Sequence, residues 1–125
     1  MGRDKYLYTW VEYKGQPYFV IKPYFSNDYE LLPGKPTITG DKKPHVSRSD
    51  LKNLPKLTIP IFKMNEKVFY SGITDSPDGK EVVNEIAKVV SYNHYSVPYS
   101  YSVERDSVKG KLDFATPFEL YKLDL

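Results

Sequence analysis

Apolar and polar positions alternate with a period of two over much of the chain, in short runs broken by Gly, Pro, Asn and Asp, which is the pattern of half-buried strands. The first pair of such runs covers residues 5–13 and 18–24, joined through Lys14-Gly15-Gln16-Pro17, and reads as a hairpin. A two-residue Gly15-Gln16 loop would set Lys14 opposite Pro17, which has no N–H to close the turn, so the sequence predicts a three-residue loop over 14–16. That register puts Leu7, Thr9 and Val11 beside Phe19 and Ile21 on an aliphatic face. Tyr6, Tyr8, Trp10 and Glu12 then share the other face with Tyr18, Val20, Lys22 and Tyr24, because side chains of a strand alternate between its two sides.

Residues 26–50 mix turn formers with one brief alternation, Pro36 to Thr39, and predict a loop with a short strand. Ser49 can cap a single helical turn that Pro55 stops. The runs LTIPIFK and KVFYSG predict a second hairpin about Asn65-Glu66, with Pro60 placing the first run at a sheet edge. A helix is expected over residues 77–92. Ser76 is a suitable N-cap and Pro77 a suitable first residue, and Val82, Val83, Ile86, Val89 and Val90 fall on one helical face. Beyond Asn93 the period returns to two. Val97, Tyr99, Tyr101 and Val103 form one strand, and Val108, Leu112 and Phe114 alternate with Lys109, Lys111 and Asp113 in another. A last strand within 118–123 closes the sheet. The expected fold class is α+β: a predominantly antiparallel sheet, two packed sheets or one curled, carrying one amphipathic helix near 77–92. At 125 residues the chain has the size of a single compact domain, 1–125.

Composition narrows the chemistry. With Cys 0 there is no disulfide framework, thiolate nucleophile or cysteine-ligated metal, and a reducing, cytoplasmic location is expected. No run is long and apolar enough for a membrane span, and the first residues, MGRDKYLYTW, lack the apolar stretch of a secretory signal. His45 and His94, the 2 histidines, have no carboxylate at ligand spacing, so neither a metal nor another cofactor is expected. TDSPDGKE is a poor calcium loop, since Thr74 stands where Gly79 would need an acidic residue five positions earlier, and no glycine-rich phosphate loop occurs. No catalytic constellation is legible, and the expectation is a protein without enzymatic activity.

The net charge of +2 is too balanced for a polycation, and only Arg3, Arg48 and Arg105 of the 18 basic residues are arginine. Sequence-specific DNA readout is therefore disfavoured. What stands out is the aromatic density of the first ribbon. Tyr and Trp supply most of the energy at protein interfaces, so Tyr6, Tyr8, Trp10, Tyr18, Lys22 and Tyr24 form the candidate partner-binding surface. The expected role is binding of a protein partner without turnover, by analogy of size and composition with small viral or mobile-element inhibitors. The alternative is a single-stranded nucleic-acid binder, in which the rings stack on bases and lysines meet the backbone.

Overall fold

A computed structural model describes residues 5–23, 27–40, 42–94 and 97–123. The chain divides into two compact units, one formed by residues 1–34 and 41–59 and the other by 35–40 and 60–125. Each holds one antiparallel sheet.

The sheet of the first unit has strands β1 (Trp10–Tyr13), β2 (Gln16–Ile21), β3 (Tyr29–Pro33) and β4 (His45–Val46) in the order β1-β2-β3-β4. The ribbon forms where the alternation predicts it, but its register differs by one residue. Tyr13 pairs with Gln16 and Trp10 with Phe19, so the loop is the two residues Lys14-Gly15. Both have left-handed backbones, with φ of 51° and 78°, as a type I′ turn requires. Pro17 is harmless in this register because its partner Glu12 turns its N–H the other way, donating to the Pro55 carbonyl at 2.9 Å. Leu57 N–H likewise donates to the Trp10 carbonyl at 2.9 Å, so the segment around Lys56 lies along the outer edge of β1 and shields it.

One face of this sheet buries Val11, Val20, Tyr29, Leu31 and Val46 together with Leu51 from a single helical turn, α1 (Arg48–Leu51). Ser47, rather than Ser49, caps that turn: its hydroxyl accepts from the Asp50 N–H at 3.1 Å, satisfying one of the donors a helix start leaves unpaired.

The second unit is built on a long hairpin, β5 (Lys67–Ser76) and β6 (Gly79–Tyr92), with β7 (Tyr101–Arg105), β8 (Asp113–Ala115), a 3-10 turn (Pro117–Glu119) and β9 (Leu120–Lys122), in the order β8-β7-β6-β5-β9. The helix expected over 77–92 is therefore not there: residues 79–92 are a strand, paired with β5 along ten residues and with β7 beyond. Two local causes decide this. Ser76-Pro77-Asp78-Gly79 is a turn sequence, with Pro77 setting φ at the second position and Gly79, at φ +123°, taking the backbone that ends it, so the residues read as a helix start close a hairpin instead. Val82, Val83, Ile86, Val89 and Val90 are all β-branched, which suits a pleated surface better than a helix. The alternation was hidden by Glu85, a charge in the row that buries Val83, Ala87 and Val89. Its carboxylate accepts from the Ser107 N–H at 3.0 Å and the Ser107 hydroxyl at 2.8 Å, which holds it below the usual carboxylate range.

The core of this unit gathers Phe62, Val68, Tyr70, Val83, Ala87, Val89, Tyr101, Val103, Ala115 and Leu120. LTIPIFK does not form a hairpin arm. β5 pairs instead with β6 and β9, while Asn65 and Glu66 bond to Val89 in the neighbouring strand. The parity of β8 is also opposite to expectation, since Asp113 and Ala115 face inward and Phe114 is exposed. The reason is electrostatic. Asp113 accepts from Arg105 Nε at 2.6 Å and from the Thr74 hydroxyl at 2.8 Å, so a paired charge takes the inner position. That last bond links β8 to β5 and shows how strongly the sheet curls. No helix among the described residues is long and apolar enough to cross a membrane.

Candidate functional site

The residues singled out on the ribbon divide between the two faces of the first sheet. Trp10 and Phe19 are cross-strand partners and share one face, with ring centroids 5.2 Å apart; Trp10 is 7% exposed. Tyr8 stacks on Phe19 from the outside, 6.2 Å between centroids, and is 69% exposed. Tyr6 and Tyr18 belong to the opposite face, where they pack against the core. Tyr18 meets Tyr13 edge-on at 5.8 Å, and Tyr6 meets the buried Tyr29 edge-on at 6.5 Å. Lys22 is exposed and holds its ammonium 5.6 Å from the Tyr29 ring centre. Tyr24 lies outside the described residues.

Arg48 completes this second group: its guanidinium lies 4.9 Å from the Tyr6 centroid and donates to the Tyr29 hydroxyl at 2.9 Å. Lys5 sits over the same Tyr6 ring at 5.4 Å and Lys14 over Tyr13 at 5.4 Å. The clustering of cations follows from composition. The first unit has nine basic against six acidic side chains, net +3, whereas the second has nine against ten, net −1, which recovers the whole-chain +2.

Tyr8 has an unusual backbone, φ 62°, a region that a bulky residue enters only when its surroundings impose it. Here two bonds to the neighbouring strand do so: Tyr8 N–H donates to the Val20 carbonyl at 2.8 Å, and Val20 N–H to the Thr9 carbonyl at 2.9 Å. The Thr9 hydroxyl reaches back to the Tyr6 carbonyl at 2.7 Å and ties the turn from inside. The Cα–Cβ bond of Tyr8 is thus aimed outward, and its ring rests on Phe19.

The second unit offers a titratable group that residue patterns did not point out. Glu119, 1% exposed, lies at the floor of a cleft of about 250 Å³ with Ser71, Asn84, Val82 and Tyr121 in its walls. Burial pushes its carboxyl up to about 7, against two backbone hydrogen bonds that lower it. Those bonds, from the Thr116 and Ile73 N–H groups at 2.9 Å each, occupy both oxygens. Glu119 therefore works as a bracket between the 3-10 turn and β5. Gly72 makes room for it: a Cβ there would stand 2.1 Å from Glu119 Oε2 and 2.9 Å from Tyr70 Cε1. The same burial, with the nearby Glu119 and Asp113 charges, raises the Tyr70 phenol well above its ordinary value. A sequence signal for Glu119 did exist, since Thr116-Pro117-Phe118-Glu119 has the spacing of a capping box with proline at the first position.

Among the described residues no group of three or more His, Asp or Glu side chains is placed to hold a metal ion. The other dense charge cluster surrounds Arg105, with Asp113 at 2.6 Å, Glu81 at 3.3 Å and Glu85 at 3.8 Å. Arg105 and Asp113 are both buried, and the cluster ties β6, β7 and β8 together.

No protein-family model, no curated protein and no solved structure matches this chain.

Proposed function

We propose that the chain is a binding protein, without turnover, that engages a protein partner through the aromatic and lysine-bearing surface of its first unit. The observation that carries this reading is Tyr8: a large ring, mostly exposed, backed by Phe19 and fixed by a left-handed backbone. Interfaces draw their energy from such pre-positioned aromatic anchors, because little rotamer freedom remains to be lost on docking. Lys14, Lys22 and Lys5 surround the unit's other rings and, with the unit's net +3, favour an acidic partner surface. The analogy with small viral or mobile-element inhibitors belongs to this reading and rests on size and composition alone.

The test is affinity capture from the source organism's lysate with the wild-type chain and with Tyr8→Asn. Asparagine accepts a left-handed backbone, so this change removes the ring while keeping the turn. Loss of an anchor worth about 2 kcal/mol should weaken capture of a partner about thirtyfold. Equal capture by both proteins would remove Tyr8 from the interface. A salt-sensitive shift of single-stranded oligonucleotide, lost in the same variant, would replace the protein partner by nucleic acid.

A further inference from the structure

A second cleft lies beside β9, distinct from the Glu119 cleft and lined by Pro60, Phe62, Pro117, Phe118, Tyr121 and two lysines, Lys35 and Lys122, with a volume of about 230 Å³. Its chemistry is simple. The prolines present no N–H, Phe62 and Phe118 are apolar rings with the Tyr121 phenol beside them, and none of the lining residues is acidic. Each lysine stands over an aromatic ring at the rim, Lys35 Nζ 5.6 Å from the Tyr121 centroid and Lys122 Nζ 5.2 Å from that of Phe62. Lys122 is already engaged by Glu66 at 3.2 Å. Lys35 has no carboxylate within ion-pair distance among the described residues.

Size limits the occupant. Sites for whole small molecules run to roughly 300–1,000 Å³, so this one takes a single apolar side chain. Lys35 at the mouth adds a demand for negative charge beside that side chain. A polyanionic backbone would need a row of free cations, and among the described residues that line this cleft only Lys35 lacks a carboxylate partner. β9 is the edge of its sheet, so an extended segment can pair along it while one of its side chains enters this cleft and the next passes Lys35 at the rim.

We infer that the cleft beside β9 is a second docking point, which captures an apolar side chain flanked by a carboxylate on an extended acidic segment of a protein partner. The inference rests on the reading that the partner is a protein, but it uses neither Tyr8 nor any other ribbon residue.

The probe is the peptide acetyl-Asp-Asp-Phe-Asp-Asp-amide, titrated to millimolar concentration into the isotope-labelled full chain at low salt and followed by amide NMR shifts. Saturable shifts are expected at Phe62 and along Leu120–Lys122. They should be lost when Phe is replaced by Ser in the peptide, and weakened at least tenfold when Asn replaces Asp. Lys35→Glu should reverse the preference toward acetyl-Lys-Lys-Phe-Lys-Lys-amide, a gain that a merely damaged protein would not show. Absence of saturable shifts at these amides, or identical titrations by the acidic and neutral peptides, overturns the proposal. Tyr8→Asn should leave the titration unchanged. Failure here with Tyr8-dependent capture intact sinks the cleft alone, whereas failure of capture with a normal titration sinks the ribbon reading alone.

Discussion

Replacing Gly72 by alanine should be among the most damaging single-methyl changes available to the second unit. The new Cβ would lie 2.1 Å from Glu119 Oε2 and 2.9 Å from Tyr70 Cε1, two groups that are themselves buried. Relief requires the carboxylate to swing away, which breaks the 2.9 Å bond from the Ile73 N–H. A hydrogen bond to a charged group contributes about 1.5–3 kcal/mol, and forcing a methyl into a filled core costs about 1–3 kcal/mol. The expected loss is about 3–5 kcal/mol. The single tryptophan belongs to the first unit, so the reporter is placed in the second unit itself. Amide hydrogen exchange at Val68, Tyr70, Ala87 and Val89 reports it directly. The decisive comparison is a double-mutant cycle with Glu119→Ala, which removes the colliding carboxylate. Alanine at position 72 should then cost about 2 kcal/mol less than in the wild-type background, the Tyr70 contact remaining. A loss below about 1 kcal/mol for Gly72→Ala alone, or strict additivity in the cycle, would refute the bracket role of Glu119.

Glu119 also sets a pH dependence. Its folded pKa of about 7 lies above the ordinary 4.5, so the folded chain binds this proton more tightly, and the stabilisation is fully present below 4.5 and lost as pH rises through 7. Urea midpoints of the second unit should therefore fall from about pH 5 to about pH 8 by the equivalent of up to about 3 kcal/mol, and Glu119→Gln should flatten that slope; a slope unchanged in the variant would exonerate the residue. On the first unit, Trp10→Ala should lower stability by about 3–5 kcal/mol, as truncation of a buried ring does, while Tyr8→Asn should leave the unfolding midpoint within about 1 kcal/mol of wild type; chemical denaturation of the two variants separates core from surface, and a stable Trp10→Ala protein would contradict the packing on Phe19. Asp113→Ala should leave Arg105 buried with a lost partner and cost about 3–5 kcal/mol, whereas exposed Lys80→Ala should be nearly silent although its 2.7 Å pair with Asp75 looks as close; equal losses would mean that burial does not govern these ion pairs.

Much of the strand content was legible because period-two alternation is a local property: β2, the first part of β5 and most of β7 lie where β-branched and aromatic runs predict them. The functional reading was legible only in outline. Aromatic density marked the ribbon, yet which rings face outward depended on a one-residue register. That register goes with the two-residue Lys14-Gly15 turn, both residues having left-handed backbones, and it leaves the Glu12 N–H pointing away from Pro17 to the Pro55 carbonyl. Residues 79–92 illustrate the opposite failure. Valine and isoleucine fell on a helical stripe and also in strand rows, and the turn Ser76-Pro77-Asp78-Gly79 could have broken the tie in favour of a hairpin. The Thr116 to Glu119 spacing likewise carried a local signal, although its partner at Ile73 did not.

By itself the sequence determined an antiparallel, sheet-rich chain with turn residues at definite places, an aromatic amino-terminal ribbon and a lack of thiol chemistry, since each of these follows from residue type and near-neighbour spacing. The tertiary structure alone decided that Trp10 is interior and Tyr8 exterior, that Glu85 and Asp113 take core-facing positions, and that Glu119 meets Gly72. Each of these depends on partners distant in the chain, and a charge or an indole has no fixed side until the groups that satisfy it are brought alongside.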